Sequence, residues 1–572
     1  MASTSSTDSS GPLLPAVVDE LARNHPHRSW ASIPIDDNDL SRGYEDISYE
    51  ALANAINKLA WVIDSAVGKS TTFETIAYLG ASDLRYHIIT MAVCKTGHKV
   101  LFSSHLNSLP MHVSLLEQLE CRSLFYSQGT RIDNLLAAHP MKHIQVPSLD
   151  DLIDLSNRAE WYPYTKTYED SALDPYVVLH TSGTTGNPKP IIYNHAITKS
   201  LDSLKSLPDV HGHSHNLDLT HPGIGTRFFL PSSPFHVLSG VFGFFSSVMG
   251  GGVLVLPYRN RGMSIDDQIL DVFTYSKTKF AIMLPHYMDV VARKPNPEDY
   301  IKNFEKVYFG GGDLSPFTRK MWAKYTHLQN CYGATELGFP PQLESDPEDH
   351  EYVYFDVEHG CLEFRELQVE DNPDGITPAK IYEMVLAWSP KTAKHAPFFA
   401  REGAIAESGP PYPDYHVSDL WTPHPDPKKS RYVWRFAGRK DDLITLAAGI
   451  NLRTGPIEQA LSAHDQVKAA IVSGNKRLQA LVILELVPGT PLEAVHDIWK
   501  SVLEPLNAKI PAHGRIAETH VLVVPANALE RTPKGSISKK RSEVKFSKEI
   551  EAVYERFGEV WHGNGLSDGN TA

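Results

Sequence analysis

Cysteine is scarce in this chain. The 572 residues include only Cys94, Cys121, Cys331 and Cys361, which lie far apart and form no C-x-x-C pair. A disulfide framework and a cysteine-ligated zinc site are therefore not expected. This cysteine usage is typical of a reducing, cytoplasmic compartment.

An excess of basic residues is also missing. The sequence has 54 Lys and Arg residues against 68 Asp and Glu residues, a net charge of −14. Because nucleic acids and anionic membranes attract positive charge, this balance argues against either as the main partner.

Long uninterrupted apolar runs are absent as well. The most apolar stretch, residues 240–257, is broken by three glycines at residues 250–252. It predicts a buried helix, a glycine turn and a buried strand rather than a membrane span. Residues 1–11 lack the basic start and apolar run of a signal peptide.

The sequence does contain a repeated alternation of short apolar runs and helical stretches. Residues 48–65 predict a helix capped by Ser48, because their apolar side chains recur at helical spacing. Apolar runs between such helices are typical of an α/β fold with buried sheets. The predicted strands are residues 75–79, 100–102, 123–126, 176–180, 227–230, 252–256 and 281–284.

The character of the chain changes after the last of these strands. Residues 352–388 predict a mostly β subdomain, and a small α+β unit is predicted to start at residue 439. We therefore expect an α/β fold with a large N-terminal domain of packed sheets and a small C-terminal domain. The predicted divisions are a flexible N-terminus at 1–20, the large domain at 21–438, the small domain at 439–555 and a linker at 556–572.

A loop rich in hydroxyls and glycine follows the strand predicted at 176–180. Glycines let backbone N–H groups approach phosphate oxygens, hydroxyls donate further hydrogen bonds, and a lysine adds positive charge. The Walker pattern G-x-x-x-x-G-K does not fit, because Pro188 stands where its second glycine belongs. The predicted phosphate-binding residues are Thr181, Ser182, Gly183, Thr184, Thr185, Gly186 and Lys189.

The string HTSGTTGNPKP at residues 180–190 closely resembles the core signature of the adenylate-forming superfamily. That superfamily contains acyl- and aryl-CoA ligases, luciferases and the adenylation domains of nonribosomal peptide synthetases. Further motifs occur in the family's order, and the resemblance covers residues 20–545. It implies ATP and Mg²⁺ as cofactors and a small domain that rotates about a hinge.

The string YGATE at residues 332–336 resembles the superfamily's second ATP motif. The resemblance places adenine against Tyr332 and the α-phosphate against Thr335. It places Mg²⁺ on Glu336, where a carboxylate suits a hard cation. The residues implied for ATP and metal are Tyr332, Gly333, Thr335 and Glu336, with Thr185 from the phosphate loop.

The string FLPSSPFH at residues 229–236 resembles the family's acid-pocket motif. Members that activate amino acids place an aspartate near here for the ammonium group, whereas this chain offers His236 and no nearby aspartate. We expect an acid without an α-amino group; benzoate-like acids are favoured, and a betaine or a short aliphatic acid stays open. His236 would gate the pocket, unless it is a buried histidine satisfied by the backbone. The implied pocket residues are Phe235, His236, Gly310, Gly311, Gly312 and Ala334.

Two further motifs lie towards the C-terminus. The string YHVSDLW at 415–421 resembles the family's Y-x-T-G-D-L segment, with Ser418 in place of the usual glycine. It implies that Asp419 accepts both ribose hydroxyls. The string GRKDD at 438–442 resembles the hinge motif, with Arg439 on the nucleotide and Asp441 as the pivot.

The segment RTPKGSISK at residues 531–539 stands where the family carries its adenylation lysine. The common form is Gly-Lys, whereas a serine follows the glycine here. Lys534 is favoured because it borders the glycine turn, and Lys539 and Lys540 stay open as alternatives.

Histidines cluster at His211, His213 and His215, with His221 nearby. Such a tract suggests a metal site on composition alone. Its position between two family motifs favours a plain surface loop instead.

The motifs together imply a reaction in two halves. A carboxylate and ATP give an acyl-adenylate and pyrophosphate, with Lys534, Glu336 and His236 as the catalytic residues, and the acyl group then passes to a thiol. The strings GNPKPI and PKGSI resemble sequences in the adenylation domains of fungal carboxylic acid reductases related to nonribosomal peptide synthetases. This implies a phosphopantetheine carrier domain as acceptor and an aldehyde as the final product.

Two other functions stay open. The first is a free-standing aryl- or acyl-CoA ligase, which uses CoA as the thiol. The second is a regulator that binds a nucleotide without catalysis. This function stays open because the segment at residues 531–539 departs from the common form of the family's lysine motif. In each case we expect a monomer.

Overall fold

The chain divides into two compact units, one formed by Met1–Leu362 with Ala387–Asp414 and the other by Glu363–Leu386 with Tyr415–Ala572. The predicted boundary at residues 438–439 stays a prediction. The computed structural model describes residues 11–105, 107–181, 188–259, 268–367, 380–404, 411–440, 443–446, 451–508, 515–531 and 537–558.

The first sheet of the larger unit has six strands. All neighbouring pairs are parallel except the last, which is antiparallel. Helices connect the parallel strands, as the alternation in the sequence predicted. In sheet order the strands are Lys142–Gln145, Ser123–Tyr126, Thr75–Leu79, Lys99–Phe102, Pro175–Thr181 and Lys189–Asn194.

The second sheet of this unit has seven strands. Its pairs are parallel except for Ser29–Pro34 with Tyr44–Ser48, which is antiparallel. In sheet order the strands are His327–Asn330, Lys306–Phe309, Phe280–Met283, Arg227–Phe229, Val253–Val255, Ser29–Pro34 and Tyr44–Ser48.

Helices cover these sheets and pack with them into separate hydrophobic cores, the largest of which includes residues of both sheets. Tyr49–Val67 begins as predicted, because the Ser48 side chain accepts a hydrogen bond from the Ala51 N–H. The helices of this unit are Leu14–Asn24, Tyr49–Val67, Arg85–Thr96, Leu109–Gln118, Asp133–Ala138, Leu149–Ile153, Tyr168–Ser171, His195–Ser203, Phe244–Val248, Ile269–Tyr275, Pro285–Ala292, Glu298–Ile301, Pro316–Ala323 and Pro397–Arg401.

Part of the segment predicted to be a flexible N-terminus at residues 1–20 is helical. The helix Leu14–Asn24 lies inside it, and Leu14 and Val18 are buried in the core. Burial of these apolar side chains stabilises the helix against fraying.

The smaller unit begins with neighbouring strands in the order Leu362–Leu367, Ile381–Leu386, Tyr415–Pro423 and Val433–Arg439, of which the last three pair antiparallel. A two-stranded pair follows, Leu443–Thr445 with Asn451–Arg453. A three-stranded sheet then forms from Val467–Ser473, Leu481–Leu486 and Val521–Val524. The helices are Gly455–Ser462, Ala494–Ile498, Glu504–Asn507, Lys539–Lys545 and Ser547–Phe557.

Solved structures described below confirm the α/β fold class. The α+β make-up predicted after residue 439 also agrees with the observed elements, which enclose a core of their own. No helix among the described ranges is both long enough and apolar enough to cross a membrane.

Candidate functional site

The phosphate loop joins two antiparallel strands at the edge of the six-stranded sheet. Thr181 ends one strand, Lys189 begins the next, and the two residues are cross-strand partners. The loop therefore leaves the carboxyl end of a strand that runs parallel to its inner neighbour, the edge where α/β sheets bind ligands. The predicted residues Ser182, Gly183, Thr184, Thr185 and Gly186 lie outside the described residues.

His180 anchors the start of this loop, a role that sequence reasoning missed. Its Nε2 accepts hydrogen bonds from the Ser104 backbone N–H and from the Asn107 side-chain amide, each at 3.1 Å. An imidazole nitrogen that accepts hydrogen bonds carries no proton, so this ring carries its proton on Nδ1. The residue before the phosphate loop is thus tied to the loop that follows the strand Lys99–Phe102.

The YGATE segment is held against the phosphate-loop strands. The Tyr193 hydroxyl, on the strand Lys189–Asn194, donates to the Thr335 carbonyl at 2.7 Å. Burial raises the pKa of Tyr193, so its hydroxyl keeps the proton that it donates. Arg401 donates to the Glu336 carbonyl at 2.6 Å, and its own carbonyl accepts from the Asn194 amide at 2.9 Å. Two predicted nucleotide motifs are thereby brought together.

Tyr332, the residue predicted to face adenine, is fixed by the buried Gln342. The Tyr332 N–H donates to Gln342 Oε1, and Gln342 Nε2 donates to the Tyr332 carbonyl, both at 2.8 Å. The Tyr332 ring meets Phe355 edge-on, with centroids 5.9 Å apart. Gln342 had no signal in the sequence, because it lies outside every motif.

The glycine-rich segment at 310–312 leaves the end of the strand Lys306–Phe309, beside the strand His327–Asn330 that leads into YGATE. A Cβ on Gly310 would lie 2.6 Å from the Cys331 carbonyl oxygen, so only glycine permits this approach. Gly333 is similarly constrained, because a Cβ added at this residue would lie 2.8 Å from the Gly338 carbonyl oxygen. The two segments pack together because they leave adjacent parallel strands.

The acid-pocket motif also follows a strand of this sheet, Arg227–Phe229. His236 Nδ1 accepts a hydrogen bond from the Leu238 N–H at 3.3 Å, which places the ring proton on Nε2. Phe235 lies among aromatic rings, with its centroid 5.3 Å from His105 and 6.4 Å from Tyr86. The backbone N–H of Leu238 thus orients the His236 ring. The role of His236 as a gate stays a prediction.

In the smaller unit, Asp419 and Arg439 are cross-strand partners joined by an ion pair at 3.3 Å. Asp419 lies in a bulge, because residues 417–419 oppose the single residue Met384 on the neighbouring strand. Ser418 adopts a left-handed φ of 65° there, a conformation that favours glycine. A glycine, as in the motif that this segment resembles, would adopt this conformation without strain.

The lysine segment is described only in part. Residues 532–536, with Lys534, and the hinge residue Asp441 lie outside the described residues. Lys539 is described, and its Nζ donates to Thr454 Oγ1 at 2.6 Å and to Glu458 Oε1 at 2.9 Å.

The histidine cluster differs from the plain surface loop expected. His215 is buried and its Nε2 lies 2.8 Å from Asp356 Oδ2, which His359 Nδ1 also contacts at 2.8 Å. Although burial alone raises the pKa of Asp356, the hydrogen bonds from both histidines hold it below its usual value. Within the described ranges no group of histidine, cysteine and acidic residues forms a metal site.

Comparison with known proteins decides the family. The model of the AMP-binding enzyme family matches residues 19–354, and that of the AMP-binding enzyme C-terminal domain matches residues 441–558. The chain belongs to the AMP-binding enzyme family. The superfamily predicted from the motifs is confirmed.

Three relatives of this AMP-binding enzyme come from fungi. A carboxylic acid reductase of Neurospora crassa is 27% identical over 94% of the chain and 50% of its own length. The isocyanide synthase-NRPS hybrid crmA of Aspergillus fumigatus is 26% identical over 95% and 33%. The adenylate-forming reductase Nps9 of Serpula lacrymans is 25% identical over 91% and 47%. The chain therefore spans half or less of the length of these relatives.

Solved structures confirm the fold of the AMP-binding enzyme. O-succinylbenzoate CoA synthetase of Bacillus subtilis with AMP has a TM-score of 0.64 and 18% identity, and it covers 92% of this chain and 97% of its own. Anthranilate CoA ligase AuaEII with anthranoyl-AMP has a TM-score of 0.66 and 17% identity, over 94% and 98%. An ATP-bound RpMatB-BxBclM chimera has a TM-score of 0.68 and 15% identity, over 94% and 100%.

Proposed function

We propose that this AMP-binding enzyme activates a carboxylic acid with ATP to give an acyl-adenylate. The observation that carries the proposal is the tie between the phosphate-loop strands and the YGATE segment through Tyr193 and Arg401. These contacts hold two nucleotide motifs in one frame at the carboxyl ends of parallel strands.

A carboxylate is a poor electrophile because its carbonyl carbon is electron-rich. In the first half-reaction a carboxylate oxygen attacks the α-phosphorus, the bond from that phosphorus to the β-phosphate oxygen breaks, and pyrophosphate leaves. The mixed anhydride has a good leaving group, AMP. The chain has to position the two reactants and offset developing negative charge.

Mg²⁺ fits the donor set at Glu336. The residue is partly exposed, and no described side chain forms a hydrogen bond or an ion pair with its carboxylate. An available carboxylate suits a hard cation that prefers oxygen ligands. When bound, Mg²⁺ would neutralise phosphate charge, and Thr185 is proposed as a second ligand.

Lys534 is the proposed adenylation lysine. Lys539 already donates to Thr454 and Glu458 within its own unit, so its departure would leave a partly buried carboxylate without that cation. The cost of unpairing such groups favours a structural role for Lys539. Lys534 is proposed because it directly precedes Gly535 in the segment where the family carries its adenylation lysine.

Asp419 and Arg439 are proposed to bind the ribose and the nucleotide. A carboxylate is an acceptor-only group and matches two ribose hydroxyls. The ion pair with Arg439 orients this carboxylate. Asp441 is the proposed pivot of domain rotation.

The proposed substrate is an aromatic, benzoate-like acid. The motif at residues 229–236 contains no acidic residue that would pair with an ammonium group. Phe235 lies beside the rings of Tyr86 and His105, and aromatic surroundings favour a flat apolar substrate. Gly310, Gly311, Gly312 and Ala334 are proposed to complete the pocket.

The proposed acceptor is the phosphopantetheine thiol of a carrier domain. In the second half-reaction a thiolate attacks the acyl carbon, the bond from that carbon to the AMP oxygen breaks, and a thioester forms. Relatives named as reductases support later reduction of this thioester to an aldehyde. A CoA ligase remains the alternative within the same chemistry.

Pyrophosphate release tests the first half-reaction. The chain is incubated with Mg²⁺, ATP and benzoate, a short aliphatic acid, glycine betaine or an α-amino acid. We expect release with benzoate-like acids above the background without acid. ATP binding without release for any acid would contradict adenylation and favour a nucleotide-binding regulator.

The acceptor is tested separately with benzoate as the acid. CoA and a phosphopantetheinylated carrier domain are offered in parallel, and thioester formation is followed by mass spectrometry. We expect acylation of the carrier domain. Acylation of CoA alone would identify a free-standing CoA ligase.

A further inference from the structure

Glu383 is a buried carboxylate on the strand Ile381–Leu386 of the smaller unit. The residue is 3% exposed, and its Oε2 accepts from His416 Nδ1 at 3.2 Å and Lys440 Nζ at 3.1 Å. Among the described residues no group donates to Oε1, which is also buried. A buried carboxylate with an unsatisfied oxygen is costly, so its position calls for a reason other than stability.

The two partners of Glu383 bracket the proposed nucleotide pair. His416 comes directly before the bulge that carries Asp419, and Lys440 directly follows Arg439. Glu383 itself is the cross-strand partner of Leu420, the residue after Asp419. One carboxylate therefore holds the chain segments on both sides of the Asp419–Arg439 ion pair.

The bulge needs such an anchor. Three residues oppose Met384, so the ladder between these strands is interrupted where Asp419 lies. Ser418 is held at a φ of 65°, a conformation that persists only where surrounding contacts impose it. The hydrogen bond from His416 to Glu383 is a contact at the entrance of this strained segment.

The balance of charge and burial favours a geometric role. The side chains of His416 and Lys440 are 54% and 48% exposed, whereas that of Glu383 is 4% exposed. Exposed partners repay little of the desolvation of a buried carboxylate, so the net stabilisation is small. What these contacts do provide is a constraint on the positions of the strands Tyr415–Pro423 and Val433–Arg439 relative to Glu383.

We propose that Glu383 is a positioning residue for recognition of the nucleotide ribose: through His416 and Lys440 it fixes the bulge so that Asp419 meets the ribose hydroxyls. This inference rests on the proposed function. Glu383 touches neither nucleotide nor acid in this proposal, because it acts through Asp419.

Discrimination between ribose and dideoxyribose gives the test. The dissociation constants of ATP and 2′,3′-dideoxy-ATP are measured by calorimetry on the full chain. The ribose ratio is the dissociation constant of 2′,3′-dideoxy-ATP divided by that of ATP, and it reports the contribution of the ribose hydroxyls to binding. Asp419→Ala sets the ratio when the carboxylate is lost. We expect Glu383→Gln to reduce the ratio by about tenfold, the effect of losing one hydrogen bond to a charged group.

A double variant separates positioning from an independent effect. If Glu383 acts through Asp419, Glu383→Gln adds nothing to Asp419→Ala, whereas independent effects would multiply. An unchanged ratio in Glu383→Gln, or a full multiplication in the double variant, would overturn the proposal.

Asp19→Asn supplies the matched control. Asp19 is also a buried carboxylate, with both oxygens 2.8 Å from Lys95 Nζ, but it lies on the N-terminal helix. We expect this variant to lower the melting temperature and to leave the ribose ratio unchanged. A reduced ratio in Asp19→Asn would mean that loss of any buried ion pair weakens ribose discrimination. The proposed positioning role of Glu383 would then be wrong.

Two exposed variants decide the matter if Glu383→Gln does not fold. His416→Ala and Lys440→Ala each remove one partner, and because both side chains are about half exposed, we expect these variants to keep the fold. Each should reduce the ratio in the same direction, and unchanged ratios in both would overturn the proposal. If the wild-type chain binds ATP with strong ribose discrimination but releases no pyrophosphate, only the proposed function fails.

Discussion

Lys534 and Lys539 are distinguished by what Lys539 already binds. The Nζ of Lys539 is held by Thr454 and Glu458, the first a fully buried residue and the second on the helix Gly455–Ser462. A lysine that stabilises its own unit has to break these contacts before it can approach a phosphate group. The sequence left Lys534, Lys539 and Lys540 open, and the contacts of Lys539 favour a structural role for that residue.

Replacement of each lysine tests this choice. We expect Lys534→Ala to lower the rate of pyrophosphate release by roughly 10²–10³-fold, as when one transition-state donor is removed, and to leave ATP binding intact. Lys539→Ala should lower the melting temperature and affect the rate far less. Loss of adenylation in Lys539→Ala with normal activity in Lys534→Ala would reverse the assignment.

At the scale of elements, the site is built where parallel strands end. The phosphate loop, the acid motif, the glycine-rich segment and YGATE follow Pro175–Thr181, Arg227–Phe229, Lys306–Phe309 and His327–Asn330. The first two of these strands were predicted because buried parallel strands are continuous apolar runs, whereas Lys306–Phe309 and His327–Asn330 were not predicted. Their order in each sheet was not predictable, because it depends on contacts between residues far apart in the sequence.

Tyr193→Phe tests the tie between two of these elements. The variant removes the donor from the Thr335 carbonyl, and an unsatisfied buried carbonyl costs about 1–3 kcal/mol. We expect a lower melting temperature and a higher dissociation constant for ATP, because the YGATE segment loses its support. Both quantities are measured on the same preparation.

Tyr49→Phe is the control for this variant. The Tyr49 hydroxyl donates to the Ser247 carbonyl at 2.7 Å in the core, away from the phosphate-loop strands. It should lower the melting temperature by a similar amount and leave ATP affinity unchanged. Equal losses of ATP affinity in both variants would show that the tie at Thr335 has no special role.

At the scale of the whole molecule, buried histidines link stability to pH. Burial lowers the pKa of His87 to about 4, from an ordinary value near 6.5, although its hydrogen bond to the Ser239 carbonyl opposes the shift. The unfolded chain therefore binds a proton between these pH values that the folded chain does not. The contribution of His87 to the free energy of unfolding is fully present above pH ~6.5 and is lost as pH falls towards ~4.

His87→Gln should flatten this pH dependence. Glutamine keeps an N–H donor for the Ser239 carbonyl but does not titrate, so the slope of unfolding free energy against pH falls by up to about 1.4 kcal/mol per unit. Melting temperatures between pH 7 and pH 4 provide the measurement. His25→Gln is the control, because His25 is exposed to water in the folded chain as in the unfolded one. A slope unchanged by His87→Gln would contradict the prediction.

The sequence by itself determined the family, the α/β class and the residues expected to meet ATP. These follow from local strings, in which residue type sets the chemistry and spacing sets the turn. It also predicted seven of the strands of the larger unit and the cap at Ser48, because apolar periodicity and capping act over a few residues.

Only the tertiary structure decided which residues support that chemistry. Tyr193, Gln342 and Glu383 carry no motif, and each matters through a partner distant in sequence. The burial of His215 and of the helix Leu14–Asn24 was equally hidden, because burial depends on what the rest of the chain packs against a residue. Hydrogen bonds and ion pairs between distant segments form only after the strands take their order, and local sequence does not specify that order.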